Sequence, residues 1–119
     1  VKVIIAGSRD FDDYDMLCDV LYAYEDMVTE VVCGMANGAD LLGKGWAEKN
    51  NIMVSEFPAK WDEHGRSAGY IRNNEMVNHL LDDVDKNMVI VFWDGKSKGT
   101  LNTMKLAMKA SLLLIVKRF

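Results

Sequence analysis

The sequence predicts an α/β fold, a single Rossmann-like domain over residues 1–119 with three layers and a mainly parallel five-stranded sheet. Three observations predict it. Short apolar runs alternate with amphipathic stretches along the whole chain, in the order β-α-β-α-β-α-β-α-β. The runs are apolar at successive positions, as in Val1–Ala6 apart from Lys2 and in Met88–Trp93, and strands buried on both faces belong to parallel sheets covered by helices. Right-handed crossovers between such strands then give the order three-two-one-four-five.

Val1–Ala6, β-branched and closed by Gly7, is the first strand. Asp12 caps the next helix, and Asp15 sits in its first turn, where the helix dipole favours an anion. Leu17, Val20, Leu21, Tyr24 and Val28 follow at helical spacing. Glu30–Cys33 is the second strand, ended by Gly34. Gly38-Ala39-Asp40 opens a second helix that runs to about Asn50. Its Gly43 and Gly45 cost about 1 kcal/mol each in helix propensity, which points to close packing on a sheet. Ile52–Phe57 is the third strand, stopped by Pro58, and Ala59–Ser67 reads as a loop. Tyr70 to about Asp82 is a third helix, with Asn73, Val77, Leu80, Leu81 and Val84 on one side. Met88–Trp93 is the fourth strand, Asp94–Gly99 a turn, Thr100–Ala110 the fourth helix and Leu112–Val116 the fifth strand.

Composition narrows the function classes. The net charge of −4 argues against nucleic acid as a partner, because displacing counterions from phosphates needs a basic face. The charge is unevenly spread. Asp10 to Glu30 carries eight acids and no Lys or Arg, and Lys96 to Phe119 carries six basic residues and no acid. A local anion site therefore fits inside an acidic protein. The apolar run Leu112–Val116 is too short to span a bilayer, and the chain opens on a strand rather than a signal peptide. Two cysteines make no disulfide framework. A reduced, cytoplasmic protein with no membrane partner is expected, and apolar helices on so small a domain suggest a homo-oligomer.

In a doubly wound sheet, ligands bind beyond the carboxyl ends of the strands, where strand order reverses. Gly7-Ser8-Arg9-Asp10 follows the first strand, and Gly34 to Asp40, with Gly38 and Ala39, follows the second. Lys60 to Arg66, with Trp61 and His64, follows the third, and Asp94 to Thr100, with Ser97 and Gly99, follows the fourth. Glycines let a ligand approach backbone N–H groups, and helix N-termini add partial positive charge. Ser8, Ser97 and Thr100 donate hydroxyl hydrogen bonds, and Arg9, Arg66 and Arg72 make bidentate pairs with phosphate. Trp61 and Trp93 offer flat surfaces for a base. A phosphorylated nucleotide derivative suits this set better than a sugar or a simple acid.

Each feature also has a plainer reading. Gly7 and Gly34 serve as ordinary strand-to-helix turns, Gly99-Thr100 as a loop and cap, and Trp93 as a rim aromatic. Cys33 reads as a small buried hydrophobe, and His79 as surface or packing. His64, beside Arg66, stays open between function and surface. Asp12, Asp13 and Asp15 read as capping and solvated charge. No G-x-x-x-x-G-K-[ST] or G-x-G-x-x-G run is present, and no CxxC or HExxH. Neither a metal nor a cofactor is expected.

Four motifs in order resemble a known family: Gly7-Ser8-Arg9-Asp10-Phe11, Gly34-x-Ala36-x-Gly38-Ala39-Asp40, His64-Gly65-Arg66-x-Ala68-Gly69-x-x-Arg72-Asn73-x-x-Met76, and Phe92-Trp93-Asp94-Gly95-x-Ser97-x-Gly99-Thr100. They look like the YspA-like branch of the SLOG superfamily, which includes the lonely-guy phosphoribohydrolases. The resemblance covers nearly the whole chain. It implies a Rossmann-like sheet and a site for nucleotide-derived ligands, which some members hydrolyse at an N-glycosidic bond and others only sense. Small stand-alone members of the branch are common in phage and bacteria. Arg72 and Met76 match the Arg-x-x-x-Met segment of the lonely-guy enzymes, whose arginine belongs to the active site. Their Gly-Thr-x-x-Glu turn corresponds to Gly99-Thr100-Leu101-Asn102-Thr103, with Thr103 where the catalytic Glu would stand. A threonine cannot serve as a carboxylate acid or base. The resemblance therefore favours binding, as a sensor or sequestering module, over that hydrolysis. Asp40, Asp94 or Glu75 could supply a carboxylate from elsewhere, with Arg72 orienting phosphate.

Overall fold

The computed structural model describes residues 1–119. Its strands are β1 (Lys2–Gly7), β2 (Glu30–Cys33), β3 (Met53–Glu56), β4 (Met88–Trp93) and β5 (Leu113–Arg118). Its helices are α1 (Tyr14–Tyr22), α2 (Ala39–Lys49), the single turn α3 (Trp61–His64), α4 (Ala68–His79) and α5 (Lys98–Lys109). The five strands form one sheet in the order β3-β2-β1-β4-β5, as expected, and every pairing is parallel.

The pleat divides β1 between two cores. Val3 and Ile5 pack with Leu17, Leu21, Trp46 and Ala47 of α1 and α2. Ile4 and Ala6 face the other way, onto Met76, Val77, Met104 and Ala107 of α4 and α5. Two helices therefore cover each face of a sheet apolar on both sides, which makes the three layers. Gly43 is needed at this contact, because a Cβ there would lie 2.6 Å from the Ile5 Cγ2. Cys18 and Cys33 are both free, and no helix is long and apolar enough to cross a membrane.

Several boundaries differ from the sequence reading. Asp13, not Asp12, caps α1, its Oδ1 accepting from Met16 N at 3.0 Å. The helix stops at Tyr22 instead of running on to Val28. Glu25 and Asp26 would place negative charge at its carboxyl end, against the dipole, and Val28 is buried from a turn instead. Residues 59–67 are not all loop, since they hold α3 and a 3₁₀ turn that lead directly into α4. That helix begins at Ala68 and ends at His79, and Leu81 is 45% exposed rather than in its apolar stripe. Ser97 caps α5 through its side chain, so Gly99 and Thr100 belong to the helix's first turn and not to a preceding loop.

The edges of the sheet are sparsely covered. Met53 on β3 and Leu113 on β5 are exposed, as are Tyr22 and Met108 on the helices. At the amino-terminal end of the sheet, buried Asn87 ties three elements together. Its side chain accepts from Lys2 N at 2.8 Å and donates to Leu80 O and Asp82 Oδ1, both at 3.0 Å.

Candidate functional site

A cleft of about 480 Å3 opens over the carboxyl ends of β1 and β4. The crossover from β3 to β4 passes to the other side of β1, so this is where strand order reverses. Four segments build it.

The first is the turn after β1. Gly7 has no room for a side chain, since a Cβ would run into the Phe92 carbonyl and lie 2.8 Å from the Ala39 Cβ. This close approach lets Ser8 N donate to Phe92 O at 2.9 Å and Ser8 Oγ accept from Asp94 N at 3.1 Å. Phe11, stacked on Phe92 with centroids 4.6 Å apart, anchors the far end of the turn. Arg9 and Asp10 are left exposed at the rim.

The second segment is the turn after β4. Asp94 Oδ1 accepts from Lys96 N and Ser97 N, both at 2.8 Å. These N–H groups hold its carboxyl below the usual range. Ser97 then caps α5, its Oγ accepting from Thr100 N at 3.3 Å and lying 3.0 Å from Thr100 Oγ1. The N–H groups of Lys98 and Gly99 make no hydrogen bond to the backbone, as expected at the start of a helix. Gly99 lies in the cleft wall with open space in front of it. Thr103, one turn on, is buried and donates to Gly99 O at 3.4 Å.

The third segment is a stripe of α4. Gly69, Arg72, Asn73 and Met76 recur at helical spacing and all face the cleft. Arg72 Nη1 donates to the Gly34 carbonyl, and its Nε donates to Asn73 Oδ1 at 2.9 Å. The Asn73 amide donates in turn to Gly99 O at 3.3 Å and to Asn102 Oδ1 at 3.0 Å. Burial lowers the Arg72 pKa and the Asp40 carboxylate opposes that shift; a guanidinium stays charged in either case.

The fourth segment is the turn from β2 into α2, where Asp40 is 5% exposed. Burial pushes its pKa up to about 6, against the N–H groups of Ala36 and Gly7 and the charges of Arg72 and Arg9. Its Oδ2 accepts from Ala36 N at 3.2 Å. Gly34 leaves room for this carboxylate and Arg72 to approach, since a Cβ there would lie 2.7 Å from Asp40 Oδ2 and 2.8 Å from Arg72 Nη1.

The structure thus places Gly7, Ser8, Arg9, Asp40, Arg66, Arg72, Asn73, Asp94, Ser97, Gly99 and Thr100 around one cleft. Gly34, Gly38 and Ala39 lie behind it and set its shape. Gly38, at φ 83°, packs its Cα against the Ser8 and Arg9 carbonyls, and Ala39 is fully buried. His64 and Trp93 stand outside the lining. The His64 Nε2 lies 3.8 Å from Glu63 Oε2. The Trp93 Nε1 donates to Ser97 O at 3.1 Å, and Arg118 covers its ring at 5.4 Å. The aromatic rings at the cleft are instead Trp61 and Tyr70, 51% and 46% exposed. Sequence reasoning named Trp61 and passed over Tyr70, although Tyr70 stands between Gly69 and Arg72 at the start of the α4 stripe. Glu75 is not part of the lining.

Cys33 is fully buried below the cleft, and burial raises its thiol to about 11. His79, read as surface or packing, bonds Glu30 Oε2 at 2.6 Å. That pair belongs to the β2–β3–α4 junction, where Ser55 Oγ also donates to Glu30 Oε2, at 2.7 Å.

Comparison with known proteins agrees with this architecture. The family model of the YspA, cpYpsA-related SLOG family matches residues 1–64, which hold the turns after β1 and β2. The chain is also similar to the Gene 61 protein of Mycobacterium phage D29, with 35% identity over 96% of this chain and 94% of that protein. No solved structure gives a significant match. With the family model matching more than half of its length, the chain belongs to the YspA, cpYpsA-related SLOG family.

Proposed function

We propose that the cleft binds a nucleotide or a nucleotide-derived phosphorylated ligand, as a sensor or sequestering module. One observation carries this reading: Gly99, whose N–H at the start of α5 is unbonded, lines a cleft together with Arg72 and Arg9. A phosphate there meets backbone donors, the positive end of a helix dipole and planar cations together. Trp61 and Tyr70 border the same cleft and offer faces to a base. The SLOG membership points to the same ligand class.

A second reading has its own observation. Asp40 is a buried carboxyl in the cleft with a pKa near 6, which suits a general acid or base. Under this reading the protein hydrolyses the N-glycosidic bond of a nucleoside phosphate, with Arg72 holding the phosphate. One experiment separates the two. The protein is incubated with a panel of nucleotides and desalted, and both the flow-through and the denatured protein are analysed by mass spectrometry. Recovery of intact nucleotide from the protein supports binding. Accumulation of free base and ribose phosphate supports hydrolysis, and recovery of neither refutes both.

Self-association is part of the same proposal, on the exposed apolar side chains Tyr22, Met53, Met108 and Leu113. Light scattering that returns the 13.4 kDa of one chain at all concentrations would refute it.

A further inference from the structure

Asp40 and Arg72 face each other without forming an ion pair. No basic nitrogen lies within 4.0 Å of the Asp40 carboxylate, which distinguishes it from the paired acids Asp82, Glu56, Glu63 and Glu30. Its partners in the fold are backbone N–H groups, Ala36 N at 3.2 Å foremost. Arg72 is tethered elsewhere, to Gly34 O and Asn73 Oδ1, and reaches Asp40 only through space, across the room that Gly34 leaves without a side chain. The fold has therefore buried a carboxylate and given it a counter-ion it does not touch. The same guanidinium faces the cleft.

We propose that the cleft takes up a proton together with its anion and that Asp40 carries that proton. This rests on the reading of the cleft as an anion site and adds its regulation. Arg72 is the shared counter-ion of the built-in carboxylate and the incoming group. An anion that engages Arg72 adds negative charge beside Asp40 and draws off the cation that compensates it. A buried carboxylate in that position is relieved by protonation. Binding an anion thus raises the Asp40 pKa, and by linkage protonated Asp40 binds anions more tightly.

Asp40 is the one buried carboxylate among the charged groups that line the cleft. Arg9 faces it from the turn after β1. Cys33, below it on β2, holds its proton to about pH 11. Asp94, across the cleft, is kept ionised by its two backbone donors, and Asp10 stands exposed at the rim. On α2 itself, Lys44 is paired with Glu56 at 3.0 Å. His64 lies beside Glu63, and His79 is bonded to Glu30.

Sulfate is the probe, because its charge does not change between pH 5 and 9. Its binding is followed through the amide signal of Gly99 at constant ionic strength. For the parent, affinity falls as pH rises from 6 to 8, by about tenfold in total for each unit by which sulfate raises the Asp40 pKa. Asp40→Asn keeps the amide donor to that side chain and removes the titration, so it binds sulfate with the same affinity at every pH. In the parent, the 13C carboxyl signal of Asp40 titrates at least one pH unit higher with sulfate than without. That last measurement decides the question alone if Asp40→Asn fails to fold. A Gly99 signal that moves with sulfate while affinity stays flat with pH overturns the proton coupling and leaves the anion site standing. A Gly99 signal that sulfate never moves overturns both.

Discussion

Gly99 offers a way to probe the ligand while leaving the protein intact. A methyl group added there meets no protein atom within 4 Å, and the backbone is helical. Replacing glycine by alanine in a helix gains about 0.5–1 kcal/mol, and the first turn merits the low end. For 119 residues, an unfolding entropy of about 2.1 cal/mol/K per residue amounts to about 0.25 kcal/mol/K, so Gly99→Ala raises Tm by about 2 °C. The new Cβ tilts toward the helix N-terminus, as every helical Cβ does, and therefore into the space where an anion meets the Gly99 N–H. Loss of that approach costs at least about 1.4 kcal/mol, or tenfold in affinity. Gly34→Ala is the contrast. Its methyl lies under 3 Å from both Asp40 Oδ2 and Arg72 Nη1, so the protein itself must shift, at about 1–3 kcal/mol. Thermal unfolding without ligand reads the first effect, and calorimetry with the nucleotide retained by the parent reads the second. A Gly99→Ala variant that is as stable as expected and binds as tightly as the parent would refute the assignment of the anion to α5.

Arg72→Ala should weaken nucleotide binding by about 1.5–3 kcal/mol, ten- to a hundredfold, and Thr100→Val by about 1 kcal/mol, as calorimetry would show. Added salt should weaken the parent more than Arg72→Ala, since the parent has more charge to screen. Glu30 is mostly desolvated, which opposes its ionisation, but hydrogen bonds from Ser55 and His79 hold its pKa below the usual value. Its stabilisation is therefore complete above the ordinary carboxylate pKa of about 4.3 and is lost as pH falls through the lower folded-state value. Unfolding midpoints of the parent should drop more steeply across that acid range than those of Glu30→Gln, and equal slopes would contradict the assignment. Iodoacetamide at pH 8 should label half-exposed Cys18 and spare buried Cys33 in the native protein, with peptide mapping as the readout.

The parts of this protein legible in the sequence are those where local chemistry and global role agree. Val3 to Ala6 are apolar at every position because β1 is covered on both faces, and no half-exposed strand or amphipathic helix leaves that pattern. Gly7, Gly34 and Gly38 stand where carbonyls or charged groups approach too closely for a side chain, so turn chemistry marked the site segments. What stayed hidden depends on partners distant in sequence. Trp93 and Tyr70 are equivalent as residue types. Only Arg118, arriving from β5 to cover Trp93, and the start of α4 beside Trp61 decide which ring meets the cleft. Asp40 carries no local mark of burial, because the groups that enclose it come from β1, β2 and α4. His79 could not be paired from sequence with Glu30, forty-nine residues away.

The sheet order has a consequence for how the protein is made. β1 lies at the middle of the sheet, between β2 and β4. On the ribosome it gains its first neighbour after some thirty residues, but its other edge stays open until Met88–Phe92 has emerged and paired with Val3–Gly7. The nascent chain therefore carries an apolar strand with one edge unpaired until β4 emerges, a state prone to association and chaperone capture. The cleft cannot exist before that closure, because Ser8 is fixed by Phe92 O and Asp94 N. Ligand recognition is thus a property of the finished sheet, and a ligand that binds there slows the exchange of β1 and β4 amides together.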